Sequence, residues 1–183
     1  ARLRFDGADA TVLAEGDAAI SAFLAAIEEW KLLIGAALVG LARESIRLAA
    51  HYACQREQFG RPIGCYQAIA HPLAALTVEV DAGRLLLWRA IRALADRAPD
   101  AAARISSAAW WACVSAEKSV AQALHTFGGY GLTLEYYIHL YNLRAKAWPL
   151  VLGDPAELLA EAGRRRYAGE AACLPEAGAM PVE

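Results

Sequence analysis

The sequence lacks an excess of charge of either sign. Its 183 residues include 18 Lys and Arg against 20 Asp and Glu, which leaves a formal net charge of −2. Proteins that grip nucleic-acid phosphates concentrate basic residues, so this balance predicts no nucleic-acid partner. The chain also lacks an uncharged apolar run of about 18 residues, the length that a membrane span requires. We therefore expect no membrane partner.

Cysteine and histidine are few and widely spaced. The four cysteines, Cys54, Cys65, Cys113 and Cys173, form no Cys-x-x-Cys pair. This usage is typical of buried or idle thiols in a reducing compartment, and it predicts a cytoplasmic protein. The four histidines include no His-Glu-x-x-His motif, so no metal site is expected. No charged-then-apolar leader opens the chain, so no signal peptide is expected.

Apolar residues, in contrast, are abundant. They make up 57 % of the chain and charged residues 21 %. Alanine and leucine dominate, and both are strong helix formers. This much apolar surface can offset the entropy of ordering the chain, which excludes disorder for most of it.

Apolar residues recurring every three to four positions predict five helices. Their predicted ranges are 17–58, 66–97, 101–127, 133–148 and 155–166, separated by breaks rich in Gly and Pro. Three long helices and two shorter ones predict an all-α, up-down bundle. Asp17 is the predicted N-cap of the first helix, and Asp154-Pro155-Ala156-Glu157 resembles a capping box at the start of the fifth.

The first predicted helix carries a long apolar stripe that we expect to face the core. Gly35 and Gly40 interrupt it, at a cost of up to about 1 kcal/mol each in an isolated helix. Close approach of another helix or a ligand would explain both glycines. The stripe comprises Ile20, Phe23, Leu24, Ile27, Trp30, Ile34, Leu38 and Leu41.

Two segments point to ligand chemistry. Arg56-Glu57-Gln58-Phe59-Gly60-Arg61-Pro62-Ile63 places a guanidinium and an amide at a tight turn, where they suit a phosphate. A helix-hairpin turn with a salt-bridged arginine is the alternative. The second segment, Gln122 to Glu135, holds the turn Gly128-Gly129-Tyr130-Gly131, whose backbone a ligand can approach closely. Taken alone, it is also an ordinary helix end.

Together these motifs resemble the C-terminal helical domain of the acyl-CoA dehydrogenase family. The resemblance runs from Leu3-Arg4-Phe5-Asp6-Gly7 through Val39-Gly40-Leu41-Ala42, the Arg56 segment, Gln67-Ala68-Ile69 and the glycine turn to Ala145-Lys146. It implies three parts. Residues 1–16 would be the end of the family's middle β-domain, a short β remnant with a linker. Residues 17–168 would be the four-helix bundle domain, and residues 169–183 a loose tail.

The resemblance implies bound FAD at a subunit interface. In the family, the arginine turn of one subunit meets the pyrophosphate and adenosine half of the flavin, and the partner's glycine turn packs against the same cofactor. His125 stands where the family usually has glutamine, and it still supplies one hydrogen bond. The matching positions are Arg56, Gln58, Phe59, Gln67, His125, Gly128 and Gly129.

The family's reaction removes the α-proton of an acyl-CoA and passes the β-hydride to the flavin, so it needs a carboxylate base. One usual position of that base corresponds here to Leu152. The other corresponds to Trp30, with Glu29 one residue away. Glu28 and Glu29 point about 100° apart on a helix, so they cannot share one pocket, and a solvated edge is the simplest interpretation. Glu29 is the candidate base.

Two functions follow from the resemblance. The chain is the C-terminal domain of an FAD-dependent acyl-CoA dehydrogenase of fatty-acid or steroid side-chain metabolism, or it is a scaffold subunit without its own glutamate. In both cases we expect self-association as a dimer or tetramer, with a homologous partner subunit as a further option. Trp88, Trp110 and Trp111 are expected to fill the core or an interface.

Overall fold

A computed structural model describes residues 4–151 and 153–167 of the chain. Their helical content confirms the all-α prediction. Helices α1, α2 and α3 are long, and α4 and α5 are short. The bounds are α1 Gly16–Gln55, α2 Gln67–Ala95, α3 Ala101–Phe127, α4 Ile138–Leu150 and α5 Pro155–Tyr167, with strands β1 Glu57–Gln58 and β2 Arg61–Pro62 between α1 and α2.

Helix α3 lies at the centre of the bundle and contacts each of the other four helices. Its alanines and serines allow close approach, and its own Ile105 and Val120 are fully buried in the core. Leu38 of α1 belongs to the same core. Some buried serines donate within their own helix, as Ser45 Oγ does to the Ala42 carbonyl at 2.8 Å, whereas Ser119 Oγ has no partner among the described residues. The core therefore leaves few polar groups unpaired.

Helix α1 ends three residues earlier than predicted. The Arg56 N–H still donates to the Tyr52 carbonyl at 2.8 Å, but the backbone of Arg56 is extended. Residues 57–58 then pair with residues 61–62 as an antiparallel hairpin. Residues 56–58 include no glycine or proline, so the sequence places the break at Phe59-Gly60. Pairing of residues 57–58 in the hairpin ends the helix earlier.

Helix α4 starts five residues later than predicted and runs two residues further. Gly128–Leu132 form a 3₁₀ turn, and α4 begins at Ile138. Pro149 lies inside its last turn rather than stopping it. At the start of α5, Asp154 Oδ1 accepts the N–H of Ala156 at 2.9 Å, as expected of an N-cap.

The first half of α1 does not face the core, contrary to the prediction. Ile20, Phe23 and Leu24 are 59 %, 66 % and 56 % exposed, and Trp30 is 48 % exposed. From Lys31 onward α1 is buried against the rest of the bundle. Helix α1 is amphipathic along its whole length, but among the described residues no element covers the apolar face of its first half.

The two glycines of α1 differ in their surroundings. A Cβ at Gly35 would lie 2.9 Å from Leu87 Cδ2, so α2 approaches α1 as predicted there. A Cβ at Gly40 would meet nothing within 4 Å. The close approach expected at Gly40 is therefore absent among the described residues.

The ends of the chain were predicted as a strand remnant and a loose tail. Residues 4–15 have no regular secondary structure, and residues 6 and 7 form a bend. Residues 1–3, residue 152 and residues 168–183, which include the start of the predicted strand and all of the predicted tail, lie outside the described residues. Among the residues that the structure describes, no helix combines the length and apolar character that a membrane crossing requires.

Candidate functional site

A strained hairpin follows α1 and carries the first predicted motif. Phe59 and Gly60, at the tip, both have positive φ, 55° and 79°, which is typical of a two-residue hairpin turn. A left-handed conformation costs a non-glycine residue roughly 1–2 kcal/mol. Phe59 is nevertheless there, with 93 % of its surface exposed. Its ring meets the Tyr66 ring edge-on at 6.3 Å.

The glycine turn after α3 is open on its outer side. Gly128 caps α3 with φ 59°, a conformation that favours glycine. Gly129 has no such conformation, and a Cβ there would also meet nothing within 4 Å. Gly131 differs, because a Cβ there would lie 3.0 Å from the Leu124 carbonyl. The fold thus accounts for the glycines at 128 and 131. At Gly129 the fold does not require glycine, and the absence of a side chain leaves the backbone of the turn open to solvent.

Aromatic stacking brings the two motifs together. The rings of Tyr52 on α1 and Phe127 on α3 stack at 4.3 Å, and the Tyr136 ring meets Phe127 edge-on at 5.3 Å. The Arg56 guanidinium lies 5.8 Å from the centre of the Tyr130 ring. Burial raises the pKa of the Tyr52 phenol, which keeps this ring neutral.

Two adjoining cavities surround this aromatic cluster. One of about 420 Å³ is lined by both motifs, including Arg56, Gln58, Gly128 and Gly129. The other, of about 500 Å³, lies on the side of α4 and is lined by His51, Glu135 and the aromatic rings. Volumes of this order suit a small molecule or part of a cofactor.

The structure thus unites four of the seven predicted cofactor positions around one cavity. Both motifs belong to the same chain there, whereas the resemblance assigned them to two subunits. Phe59 projects into solvent, and neither Gln67 nor His125 lines the cavities. The aromatic residues Tyr52, Tyr130 and Tyr136 were not predicted.

The candidate base lies far from these cavities. Glu29 is exposed on α1, and the 27 residues that separate it from Arg56 span about 40 Å at 1.5 Å per helical residue. Trp30 is also partly exposed. Leu152, at the family's other position for the base, lies outside the described residues. Within one chain, Glu29 is therefore not part of the site around the cavity.

Glu28 does not lie on a solvated edge as expected. Its Oε1 accepts bonds from Lys31 Nζ at 3.0 Å and Arg165 at 2.9 Å. Glu161 of α5 binds the same two cations, at 2.7 Å to Lys31 and 2.6 Å to Arg165. Ser106 Oγ donates to Glu161 at 3.0 Å. This ionic cluster, Glu28, Lys31, Ser106, Glu161 and Arg165, joins α5 to α1 and α3.

The ionic cluster is largely removed from solvent. Lys31 is 4 % exposed. Burial opposes ionisation of Glu161, but the hydrogen bond and charge of Lys31 outweigh it and lower the pKa of that carboxyl. Burial likewise works against Arg165, but Glu28 raises its pKa. Glu28 Oε1 is bonded to both Lys31 and Arg165, so Glu28 serves to join α1 to α5 rather than to contact a substrate.

Thiols and metal ligands add no further site in the described ranges. No group of three or more His, Cys, Asp or Glu residues there could hold a metal ion. Cys54, Cys65 and Cys113 are free thiols. Burial raises the pKa of Cys113 to about 11, so it stays protonated. Cys173 lies outside the described residues.

The fold is thus of the helical-bundle class, with an arginine hairpin and a glycine turn that line one cavity. The sequence model of the family "Acyl-CoA dehydrogenase, C-terminal domain" matches residues 20–165. The chain therefore belongs to the acyl-CoA dehydrogenase family and corresponds to its C-terminal domain, as the motifs predicted. The family is FAD-dependent.

Relatives and solved structures agree with this assignment. The chain is 37 % identical over 131 residues to the acyl-CoA dehydrogenase FadE12 of Mycobacterium tuberculosis, covering 70 % of this chain and 33 % of that protein. A Tcur3481-Tcur3483 steroid ACAD variant shares 35 % identity with a TM-score of 0.73, covering 77 % and 39 % of the two chains. The ChsE4-ChsE5 complex from Mycobacterium tuberculosis shares 31 % identity with a TM-score of 0.68, covering 79 % and 38 %. The chain thus spans between a third and two fifths of the length of these proteins.

Proposed function

We propose that this chain is the C-terminal bundle of an FAD-dependent acyl-CoA dehydrogenase, which removes the α-proton and β-hydride of an acyl-CoA thioester. Its own share of that function is to bind part of the cofactor and to mediate self-association as a dimer or tetramer. The observation that carries the proposal is the convergence of the arginine hairpin and the glycine turn, about 70 residues apart in sequence, on one cavity.

The residues around the cavity fit the pyrophosphate and adenosine half of FAD. Arg56 has no carboxylate partner in the described part of the chain, so its guanidinium is available for a phosphate. The Gln58 amide lies beside it. Open space above Gly128 and Gly129 admits a ligand to the backbone. Phe59, at the exposed tip, supplies an aromatic face for the same cofactor.

When bound, FAD would accept the hydride that leaves the substrate. The proton needs a separate acceptor, and Glu29, one residue from the family's position at Trp30, is the candidate, since the neighbouring Glu28 binds Lys31 and Arg165. The roughly 40 Å of helix between Glu29 and Arg56 prevents both from serving one cofactor within one chain. The proposal therefore requires that a base from one subunit acts on FAD held partly by another.

A scaffold subunit is the second candidate function. Trp30, which occupies one of the family's positions for the base, cannot accept a proton, and Glu29 lies one residue out of register. Two related structures carry names that pair two different chains, Tcur3481-Tcur3483 and ChsE4-ChsE5. In this version a homologous partner subunit supplies the glutamate, and this chain supplies cofactor-binding surface. A steroid-derived acyl-CoA would suit the name of the first relative.

Co-expression tests the proposal and separates its two versions. The complete gene is expressed alone and with any adjacent homologous gene, and the purified protein is examined for flavin absorbance and for bleaching by acyl-CoA. Yellow protein that bleaches is expected. Colourless, inert protein in every combination would exclude the enzyme.

Glu29→Gln then identifies the base. We expect it to abolish bleaching while flavin absorbance is retained. Glu15→Gln, which changes an exposed carboxylate at the N-cap of α1, serves as the control. Unchanged turnover in Glu29→Gln would assign the base to the partner subunit.

A further inference from the structure

Three arginines surround a small cavity where helices α2, α3 and α5 meet. Arg89 comes from α2, Arg104 from α3 and Arg166 from α5. The cavity has a volume of about 150 Å³, and no carboxylate among the described residues lines it. We call it the arginine cavity. Its other lining residues are apolar or small: Leu86, Ala103 and Ser107.

On α2, the arginine of the cavity differs from its neighbours in sequence. Arg84 and Arg92 each contact an aspartate of the same helix, at 3.7 Å and 2.7 Å. Arg89 lies between them and is exposed, but it pairs with no carboxylate in the described ranges. Its positive charge is therefore available to a ligand.

Helix α5 shows the same difference among three consecutive arginines. Arg164 and Arg165 each contact a glutamate. The Arg166 guanidinium lies 5.9 Å from the centre of the Tyr167 ring, and it has no carboxylate partner in the part of the chain that the structure describes. The arginines without such a partner on α2 and α5 thus line one cavity.

The ionic cluster holds Arg166 beside α3. Within that cluster, Arg165 donates to the Ala102 carbonyl at 3.1 Å and to Ser106 Oγ at 3.2 Å. The next residue of a helix points about 100° further round the helix axis. Arg166 therefore lies on the side of α5 that lines the cavity with Ser107. Positioning by packed helices reduces the freedom that a ligand must remove on binding.

Arg104 is partly neutralised within the chain. Its Nε donates to Asp100 Oδ2 at 2.7 Å, and its two terminal nitrogens have no hydrogen-bond partner among the described residues. Asp100 thus offsets one of the three positive charges around the arginine cavity. Two positive charges remain without a counter-charge in the described ranges.

We propose that the arginine cavity binds a phosphate group, either as inorganic phosphate or as the ester of a small molecule. A phosphate monoester carries a charge of about −1.5 to −2 near pH 7 and three strong acceptor oxygens. It thus matches two unbalanced charges and three guanidiniums, which bind such oxygens in pairs. A carboxylate would supply one negative charge.

The size of the arginine cavity limits what it encloses. Its volume of about 150 Å³ is below the roughly 300–1,000 Å³ of pockets that enclose drug-sized ligands. The cavity therefore takes the phosphate group, and the rest of an ester lies outside it.

This site goes beyond the proposed function, because it is separate from the cavity between Arg56 and the glycine turn. Arg104 lies in the first turn of α3 and Gly128 follows the last, so about 36 Å of helix separates the two places. None of the residues of the arginine cavity lines either cavity of the candidate cofactor site.

Calorimetric titration of the 183-residue chain with inorganic phosphate tests the proposal. A dissociation constant of about 0.1–1 mM is expected, which is within the affinity that so small a ligand reaches. The titration is repeated with Arg56→Gln, because Arg56 is proposed to bind a phosphate of FAD, and with the complete gene product. Binding should persist in both. Glycerol 3-phosphate, titrated in parallel, supports an ester as the ligand if it binds, and binding of inorganic phosphate alone supports the free ion.

Matched variants locate the site. Arg89→Gln, Arg104→Gln and Arg166→Gln should each weaken binding at least about fivefold, because each removes charge-assisted hydrogen bonds to the phosphate. Arg84→Gln and Arg164→Gln remove the same charge from α2 and α5 outside the cavity, and they should change the affinity less than about twofold. Circular dichroism of each variant checks that the helices persist.

The titration of the ligand itself gives a second readout. The second pKa of a phosphate ester is about 6, so the affinity for the phosphate probe should fall at least about fourfold between about pH 7.5 and 5.5 as the dianion is lost. Sulfate stays a dianion over this range. Its affinity should change less than about twofold, which controls for any titration of the protein.

Five results would overturn the inference. They are no binding up to about 10 mM phosphate, loss of binding in Arg56→Gln, equal losses in Arg84→Gln or Arg164→Gln, the same pH response for phosphate and sulfate, and binding that is absent from the complete gene product. Flavin retention and bleaching are scored separately. Failure of the arginine cavity therefore leaves the proposed function standing, and the reverse also holds.

Discussion

At the scale of single residues, Gly129 is a position where the need for glycine in the fold can be distinguished from the need for glycine in ligand binding. The fold does not need glycine there, because the backbone is not left-handed and a Cβ would touch nothing. We therefore expect Gly129→Ala to leave the free energy of unfolding within about 0.5 kcal/mol. FAD affinity should fall at least about tenfold, because the methyl group occupies the space of an approaching cofactor.

The measurements are urea unfolding of the chain and flavin retention by the co-expressed complex. Gly128→Ala is the matched comparison, since its φ of 59° makes alanine strained. That variant should lose stability as well as cofactor. Full flavin retention in Gly129→Ala would show that no ligand approaches this turn.

The two glycines of α1 give a second residue-scale prediction. At Gly40 alanine meets nothing, so Gly40→Ala should stabilise the chain by up to about 1 kcal/mol through helix propensity. At Gly35 the added Cβ would lie 2.9 Å from Leu87, which is 4 % exposed and has little room to move. Overpacking should outweigh the gain in propensity, for a net loss of about 1 kcal/mol.

Chemical denaturation of both variants, at equal protein concentration, compares the two positions. Stabilisation by both substitutions would mean that Leu87 relocates freely. Sequence alone could not make this distinction, because both glycines interrupt the same stripe. The difference depends on where α2 crosses α1, which is a tertiary property.

At the scale of elements, the ionic cluster makes the attachment of α5 sensitive to acid. The pKa of Glu161 is lowered in the folded chain, so its contribution is complete above the unfolded pKa of about 4.3 and is lost as pH falls through the folded value. We expect Glu161→Gln to destabilise the chain by about 2 kcal/mol at pH 7, because charge-assisted bonds to Lys31 and Arg165 are weakened.

The same variant should be less sensitive to pH below about 4.3. Glu44→Gln is the control, because Glu44 also has a lowered pKa but pairs with Arg47 at the surface. Surface pairs contribute at most about 1 kcal/mol. Urea unfolding at pH 7 and in acid measures both variants. Equal losses in the two would show that the cluster acts as a surface pair.

Elements were easier to predict than the contacts between them. Periodicity and breaks identified all five helices of the described residues, because helix propensity and turn chemistry are local. Glu28 was placed on a solvated edge because its partner Arg165 is 137 residues away in sequence and carries no motif. Tyr52 and Phe127 were likewise missed as a stacked pair. Arg56 and the glycine turn could be identified because the two motifs together, in their order and spacing, match the family, although each alone is ordinary at a helix end.

At the scale of the whole molecule, α1 is longer than the bundle that it supports. Residues 31–53 pack against α2, α3 and α4, whereas residues 16–30 carry exposed apolar side chains. An apolar face of this kind is normally covered. The relatives are much longer than this chain, so a surface outside the described residues is the expected cover.

This difference along α1 predicts two levels of local stability. Few contacts hold residues 16–30, so their amide hydrogens should exchange with solvent much faster than those of residues 31–53, although both belong to one helix.

Substituting Ile20 and Phe23 by serine together should change the free energy of unfolding of the 183-residue chain by less than about 0.5 kcal/mol per substitution. Leu38→Ser, at a fully buried position, should cost at least about 3 kcal/mol. Hydrogen exchange by mass spectrometry and urea unfolding measure these effects. In the complete gene product, protection of residues 16–30 should rise, and the double serine variant should then become destabilising. Equal protection of both halves in the 183-residue chain would contradict the argument, because it would require a cover that the described residues themselves supply.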